Sequence, residues 1–202
     1  AVNEIQNLMG RYMVRHIDGP QIATSLELFA LKTQGVSVEI AEWGLFEGPD
    51  QIKALYERGH GDTTKQPRGE LTEHDLTTPI IEVAKDGKTA KAVWFSPGFR
   101  TVPPEKPGEK PTPFWRWIKL AAVFCKEDGK WKIWKYHVYS TFFADFYKSW
   151  VDYQPPGRGF VKELNPKPTT YDNPYSPNGV REPIPPAPEP YETWNEPVDY
   201  HP

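Results

Sequence analysis

The stretch from residue 71 to residue 98, LTEHDLTTPIIEVAKDGKTAKAVWFSPG, constrains the chain most. Ile80, Glu82 and Ala84 alternate with Ile81 and Val83. Asp86-Gly87 supplies a tight turn, and Ala90, Ala92 and Trp94 alternate with Lys91, Val93 and Phe95 on the return. This is the pattern of a β-hairpin. A hairpin is not stable alone in water, so it must belong to a larger sheet with one face covered. The motif recurs downstream, where residues 114–126 and 130–142 flank Asp128-Gly129. Between the hairpins, residues 96–113 are proline-rich and carry mixed charge, and they read as an interruption of the sheet.

The covering elements lie upstream. Ile5, Leu8, Met9, Tyr12, Met13 and His16 recur at helical spacing, so residues 2–17 read as an amphipathic helix stopped by Asp18-Gly19-Pro20. A second helix follows Pro20, with Ile22, Leu26, Phe29 and Ala30 on its apolar side. Residues 36–40 alternate as a first short strand, and residues 43–48 form a second short strand or turn. Pro49-Asp50 opens a third helix with Ile52, Leu55 and Tyr56 inward, ending at Arg58-Gly59, and residues 60–68 read as a loop. Helices before runs of strands imply an α+β fold with a mainly antiparallel sheet. A strongly curved sheet wrapped round three helices leaves a cone-shaped interior able to take a small molecule.

Charge and cysteine content remove whole classes of function. Lys+Arg number 24 against 27 Asp+Glu, a net charge of −3, which offers no field for nucleic acid. No apolar run approaches the roughly 20 residues that span a bilayer, and the N-terminal residues lack a signal-peptide pattern, so a cytoplasmic protein without a membrane partner is expected. Cys125, the single cysteine, sits in an apolar strand-like run and reads as a buried hydrophobe. The histidines, at 16, 60, 74, 137 and 201, show no metal-ligand spacing, and no phosphate loop or dinucleotide fingerprint is present. Acid and base chemistry by His, Asp and Tyr, with no cofactor and no metal, is what remains.

His74 leads the candidates, because it lies at a strand edge beside Glu73 and Asp75 and can change charge near neutral pH. Asp18 and Tyr12 accompany it at the end of the first helix, and His16 lies four residues from Tyr12 on the same stripe. On the last strand Trp134, Tyr136, Val138 and Ser140 share one face while Lys135, His137 and Tyr139 share the other, and periodicity leaves open which is inner. Trp43, Phe46, Trp94, Tyr136 and His16 are the expected substrate contacts.

The helix NLMGRYMVRHIDG, the run ELFALKTQGVSVEIAEWGLFEG, the hairpin HDLTTPIIEVAKDGKTAKAVW and the strand EDGKWKIWKYHVY resemble the SnoaL-like branch of the nuclear transport factor 2-like superfamily, cone-shaped α+β barrels. The resemblance covers almost all of residues 5–150. Its dehydratases, acting on bile acids or naphthols, use a Tyr, an Asp and a His, to which Tyr12, Asp18 and His74 correspond, with one extra residue between Tyr and Asp. Two further bile-acid positions fall on Gly98 and Ser140, and the second histidine of the naphthol enzymes on Phe99 or Arg100. The strings ALKTQGVSVEI, TTPIIEV and GKTAKAVWFSPG are similar to SnoaL-like proteins of bacterial aromatic catabolism. That likeness implies a cofactorless lyase releasing formaldehyde from a lignin-derived diarylpropane or phenylcoumaran diol. Other members of the superfamily imply a dehydratase or isomerase of a polycyclic or steroid-like substrate, a non-catalytic binder, or a ring-hydroxylase small subunit.

The domain is expected to span residues 1–151. Residues 152–202 are too poor in aliphatics for a core, yet Tyr153, Phe160, Tyr171, Tyr175, Ile184, Tyr191 and Trp194 are spaced apolar anchors. They read as an extended arm that wraps a homo-oligomer, a dimer or trimer.

Overall fold

The computed structural model describes residues 1–17, 19–59, 69–104, 106, 108–152 and 163–195. Asp18, the loop at 60–68 and the arm anchors Tyr153 and Phe160 lie outside the described residues.

Helix α1, Val2–Ile17, follows its apolar stripe, burying Ile5, Leu8, Met9, Tyr12 and Met13. The second expected α-helix is instead a 3-10 helix, Gly19–Leu28. Its buried positions Ile22, Ser25 and Leu28 are spaced by three, the repeat of the tighter helix, in which residues three apart eclipse. Helix α2, Gly48–Ala54, opens with a proline in its first turn and widens into a π-helical turn, Leu55–Gly59. Ile52, Leu55 and Tyr56 are all fully buried.

Seven strands make one sheet: β1 Ser37–Ile40, β2 Gly44–Glu47, β3 Leu71–His74, β4 Thr77–Val83, β5 Thr89–Val102, β6 Thr112–Glu127 and β7 Lys130–Asp145. Their order is β2-β1-β7-β6-β5-β3, with β4 beside β3 on the same edge of β5. All pairings are antiparallel except β1 with β7. Register shifts on β7 near Trp134 and Thr141 mark bulges, which sharpen the local bend and curl the sheet around the helices.

Two expectations change. Residues 96–113 do not interrupt the sheet: β5 runs on to Val102 and β6 begins at Thr112. Pro97 is tolerated inside β5 because its carbonyl side faces the break between β3 and β4, where Asp75 N–H donates to Pro97 O, so its missing N–H costs no ladder bond. The stretch before the first hairpin arm is likewise a strand of its own, with His74 as its last residue, paired to Gly98.

The inner face of the sheet carries Ala90, Ala92 and Trp94 of β5, Leu120, Ala122 and Phe124 of β6, and Ile133, Tyr136 and Val138 of β7. These close on Leu8, Met9, Tyr12, Phe29, Phe46, Ile52 and Tyr56 to form the main core. Tyr136 and Val138 therefore face inward and Tyr139 outward. Trp134 leaves the expected set, because the bulge breaks the alternation there and turns its ring toward Trp194, 5.2 Å away. Cys125 is buried, and burial raises its thiol above the usual range.

The outer face is covered by the C-terminal segment of the same chain. Val93, Ala121, Val123 and Tyr139 pack under Tyr171, Ile184 and Trp194. Lys167 exchanges two backbone hydrogen bonds with Leu45, at 2.9 and 3.0 Å. Further along, Lys85 and Asp86 N–H donate to Tyr191 and Glu192 carbonyls. Among the described residues no helix is long and apolar enough to cross a membrane.

Candidate active site

Helix α1, the π-helical turn and β7 bring three phenols together. Tyr12 Oη lies 2.7 Å from Tyr56 Oη, and the Tyr12 and Tyr136 rings are 5.1 Å apart with their hydroxyls hydrogen-bonded. Phe29 stands edge-on to Tyr12 and Tyr136. Burial raises the Tyr12 phenol to about 12 and pushes Tyr56 and Tyr136 well above the ordinary value, so all three stay protonated.

One helical turn beyond Tyr12, His16 stacks on its ring at 6.0 Å and approaches the His74 ring at 5.6 Å. His74 arrives there because β3 crosses β5 at Gly98, the one position on that face of β5 with no side chain to exclude an imidazole. Its Nδ1 is buried and has no hydrogen-bond partner among the described residues. Burial, then the charges of His16, Arg116 and Arg100, hold His74 well below the usual histidine range, and burial with Arg100 holds His16 down to about 4. Both imidazoles are neutral at neutral pH. A neutral, desolvated imidazole next to protonated phenols is a base facing proton donors.

The strand register adds groups that carry charge. Gly98 lies between His74 on β3 and Arg116 on β6, so both flank it on the inner face, and Arg100 follows two residues along β5. Arg116 donates to Glu42 Oε1 at 3.4 Å, both side chains nearly buried, and Arg100 faces Glu70 at 4.0 Å. Asp172, carried in by the C-terminal segment, accepts from the Ser140 backbone, and burial and the Glu42 carboxylate raise it to about 6.

Tyr12, His16, His74 and Tyr136 thus form one connected cluster. Phe46 and Trp94 are fully buried core side chains, Trp94 edge-to-face with Phe124 at 6.3 Å, and Trp43 is part-buried at the end of the 3-10 turn Ala41–Trp43. Arg116, Glu42 and Asp172 were not among the expected site residues. Alternation Arg116-Ile118-Leu120 puts the arginine on the face of two core aliphatics, which is a readable signal. Asp172 has none, since the irregular segment that delivers it has no period.

The SnoaL-like domain family matches residues 1–137. No curated protein matches the chain. Among solved structures, a candidate scytalone dehydratase from Novosphingobium aromaticivorans superposes with a TM-score of 0.56 at 20% identity, over 78% of this chain and 94% of that one. A candidate NTF2-like dehydratase from Streptomyces avermitilis gives 0.55 at 16%, over 68% and 94%. A type 2 hexachlorocyclohexane dehydrochlorinase gives 0.55 at 15%, over 77% and 93%. The curled sheet closed on its helices is the α+β cone that these structures share, and with two thirds of its length matched the chain belongs to the SnoaL-like domain family.

Proposed function

We propose that the chain is a cofactor-independent lyase acting by acid/base chemistry on a hydroxylated aromatic small molecule. The observation that carries this is the neutral His74 imidazole, linked through the His16 ring to the protonated Tyr12, Tyr56 and Tyr136 hydroxyls. The relatives described as a dehydratase and a dehydrochlorinase support it, since both names denote elimination of a leaving group.

The sharpest form is formaldehyde-releasing cleavage of a lignin-derived diarylpropane or phenylcoumaran diol. For the diarylpropane, an acid protonates the benzylic hydroxyl, which leaves as water while the para-phenol loses its proton, giving a quinone methide. A base then takes the terminal hydroxyl proton. The C–C bond to the hydroxymethyl carbon breaks, its electron pair enters the quinone methide, and formaldehyde and a phenolic stilbene result. His74 is the base in this scheme, with Asp18 as its acid/base partner, and Tyr12 and Tyr136 hold a substrate oxygen by donating to it.

Purified protein incubated with both diols, without added metal or nucleotide, tests the reading. Formaldehyde and a stilbene absorbance appearing together, and falling about 100-fold or more in His74→Gln, are expected. No formaldehyde from either diol sinks the lignin substrate. Loss of water without formaldehyde turns the reading to the dehydratase that the first two structural neighbours favour.

A further inference from the structure

The proposed reaction uses His74 and the phenols but leaves the polar patch beside them unexplained. Ser96, Gly98 and Arg100 follow one another on the inner face of β5. Arg116 flanks Gly98 on one side and His74 on the other, while Ser140 of β7 lies level with Ser96 across Ile118. Ser96 and Ser140 are 0% and 2% exposed, and each hydroxyl lacks a hydrogen-bond partner among the described residues. So do Arg100 Nε and His74 Nδ1. Buried polar atoms are nearly always paired, and the few exceptions call for a reason. Four on one face around one glycine share a reason: they call for a ligand group that the described residues do not supply.

The donors define that ligand. Two guanidiniums and two hydroxyls present N–H and O–H groups, which call for an acceptor with several lone pairs. Glu42 takes only one Arg116 nitrogen, at 3.4 Å, and Glu70 approaches Arg100 no closer than 4.0 Å, so neither arginine has its fork filled by a close carboxylate. The stacked Phe114 and Phe143 rings, 4.7 Å apart, lie next to Arg116, whose guanidinium is 5.5 Å from the Phe143 centroid, and give the patch an aromatic wall.

We propose that Arg100 and Arg116, with Ser96 and Ser140, form an oxyanion subsite that binds the carboxylate or phenolate of an aromatic ligand next to His74. It rests on the location of the active site argued above, but not on the reaction assigned to it. A substrate phenol seated there is held as its phenolate, the form from which a quinone methide is made.

The test is binding, with no turnover required. The full chain is titrated with 3-phenylpropionate and with the neutral 3-phenylpropanol, following tryptophan fluorescence. Separately, bound 4-nitrophenol is scanned across pH for its phenolate absorbance. The carboxylate is expected to bind about tenfold or more tighter than the alcohol, and Arg100→Gln to remove most of that preference. Arg116→Gln leaves Glu42 without its cation, so the Glu42→Gln/Arg116→Gln double variant, checked by thermal melting, carries that arm. A phenolate band appearing at lower pH on the protein than in buffer assigns the phenolate source, and carboxylate preference alone assigns the other. Equal affinity for the acid and the alcohol with no shift of the nitrophenol band overturns the subsite. So does a preference untouched in both arginine variants. Formaldehyde release from neutral diols alongside either result would leave the lyase standing without the subsite, while anion binding with no turnover would do the reverse.

Discussion

A β-carbon on Gly98 would lie 2.7 Å from His74 Nδ1 and 2.1 Å from the Glu73 carbonyl oxygen. The glycine is therefore the seat of the imidazole, and the close crossing of β3 over β5 depends on it. In Gly98→Ala the backbone contact cannot be relieved by turning a side chain, so β3 must move and take His74 with it. Stability is expected to fall by about 1–3 kcal/mol. Turnover should fall about 100-fold even where the protein remains folded, because a displacement near 1 Å misaligns a base. Thermal melting and steady-state rates on the same sample separate the two losses, and full activity in Gly98→Ala would refute this role.

Three groups at the site make opposing contributions to the pH dependence of stability. His16, at about 4, and His74, well below its ordinary value, stay neutral in the fold while the unfolded chain takes up their protons below about pH 6.5. Each therefore makes stability fall as pH drops, by on the order of 1.4 kcal/mol per pH unit. Asp172 works in the opposite sense. Raised to about 6, it binds its proton in the folded state before the unfolded chain does, so it adds stability as pH falls from about 6 toward 4. Two protons favour the unfolded chain and one, on a partly exposed group, favours the fold, so on balance stability falls as the pH drops from about 6 to 4. Denaturant melts across that range should show it. Asp172→Asn should steepen the slope and His16→Gln should flatten it.

Much of this was legible in the sequence, and the failures have physical causes. The stripe Ile5-Leu8-Met9-Tyr12-Met13 specified α1 because a helix that buries one face must repeat near 3.6. The Asp86-Gly87 and Asp128-Gly129 turns fixed two hairpins, with positive φ at Gly87, Asp128 and Gly129. Residues 96–102 misled because proline and glycine ordinarily break strands, yet here Pro97 faces a gap in the ladder and Gly98 admits His74. The inner side of β7 could not be read, since Tyr136 and Tyr139 are equally apolar and the bulge at Trp134 shifts the phase between Ile133 and Tyr136. Arm anchors were readable as apolar points, and Tyr171, Ile184 and Trp194 meet this chain's own sheet. Light scattering of the full chain is the direct measurement for the expected homo-oligomer.

Glu39 pins the C-terminal segment to the outer face. Its carboxylate accepts from Thr169 Oγ1 and Thr170 N, both at 2.5 Å, and from Thr170 Oγ1 at 2.9 Å, while His137 Nε2 stands 3.5 Å away. Glu39→Ala takes away the buried carboxylate that these donors share, a cost of about 1–3 kcal/mol. The expected outcome is release of residues 163–195 with retention of the inner core, seen as faster proteolysis of the C-terminal segment than of the remaining domain. Uniform digestion at the wild-type rate would show that the arm holds without Glu39.

The three phenols make the last prediction, because their connectivity is unequal. Tyr12 bonds both Tyr56 and Tyr136, whereas each of those is bonded to Tyr12. Tyr12→Phe therefore removes two of these bonds, and Tyr136→Phe removes one while the Tyr12–Tyr56 pair survives. Each buried hydrogen bond lost costs about 0.5–1.5 kcal/mol, so Tyr12→Phe should be the more destabilising of the two in denaturant titrations. Activity should follow a different order if a substrate oxygen is held by the phenols. Tyr12→Phe and Tyr136→Phe should both raise KM, since each removes a donor, and neither should move the pH at which His74 loses its function as base. Equal destabilisation with unchanged KM would mean that the hydroxyls serve only one another.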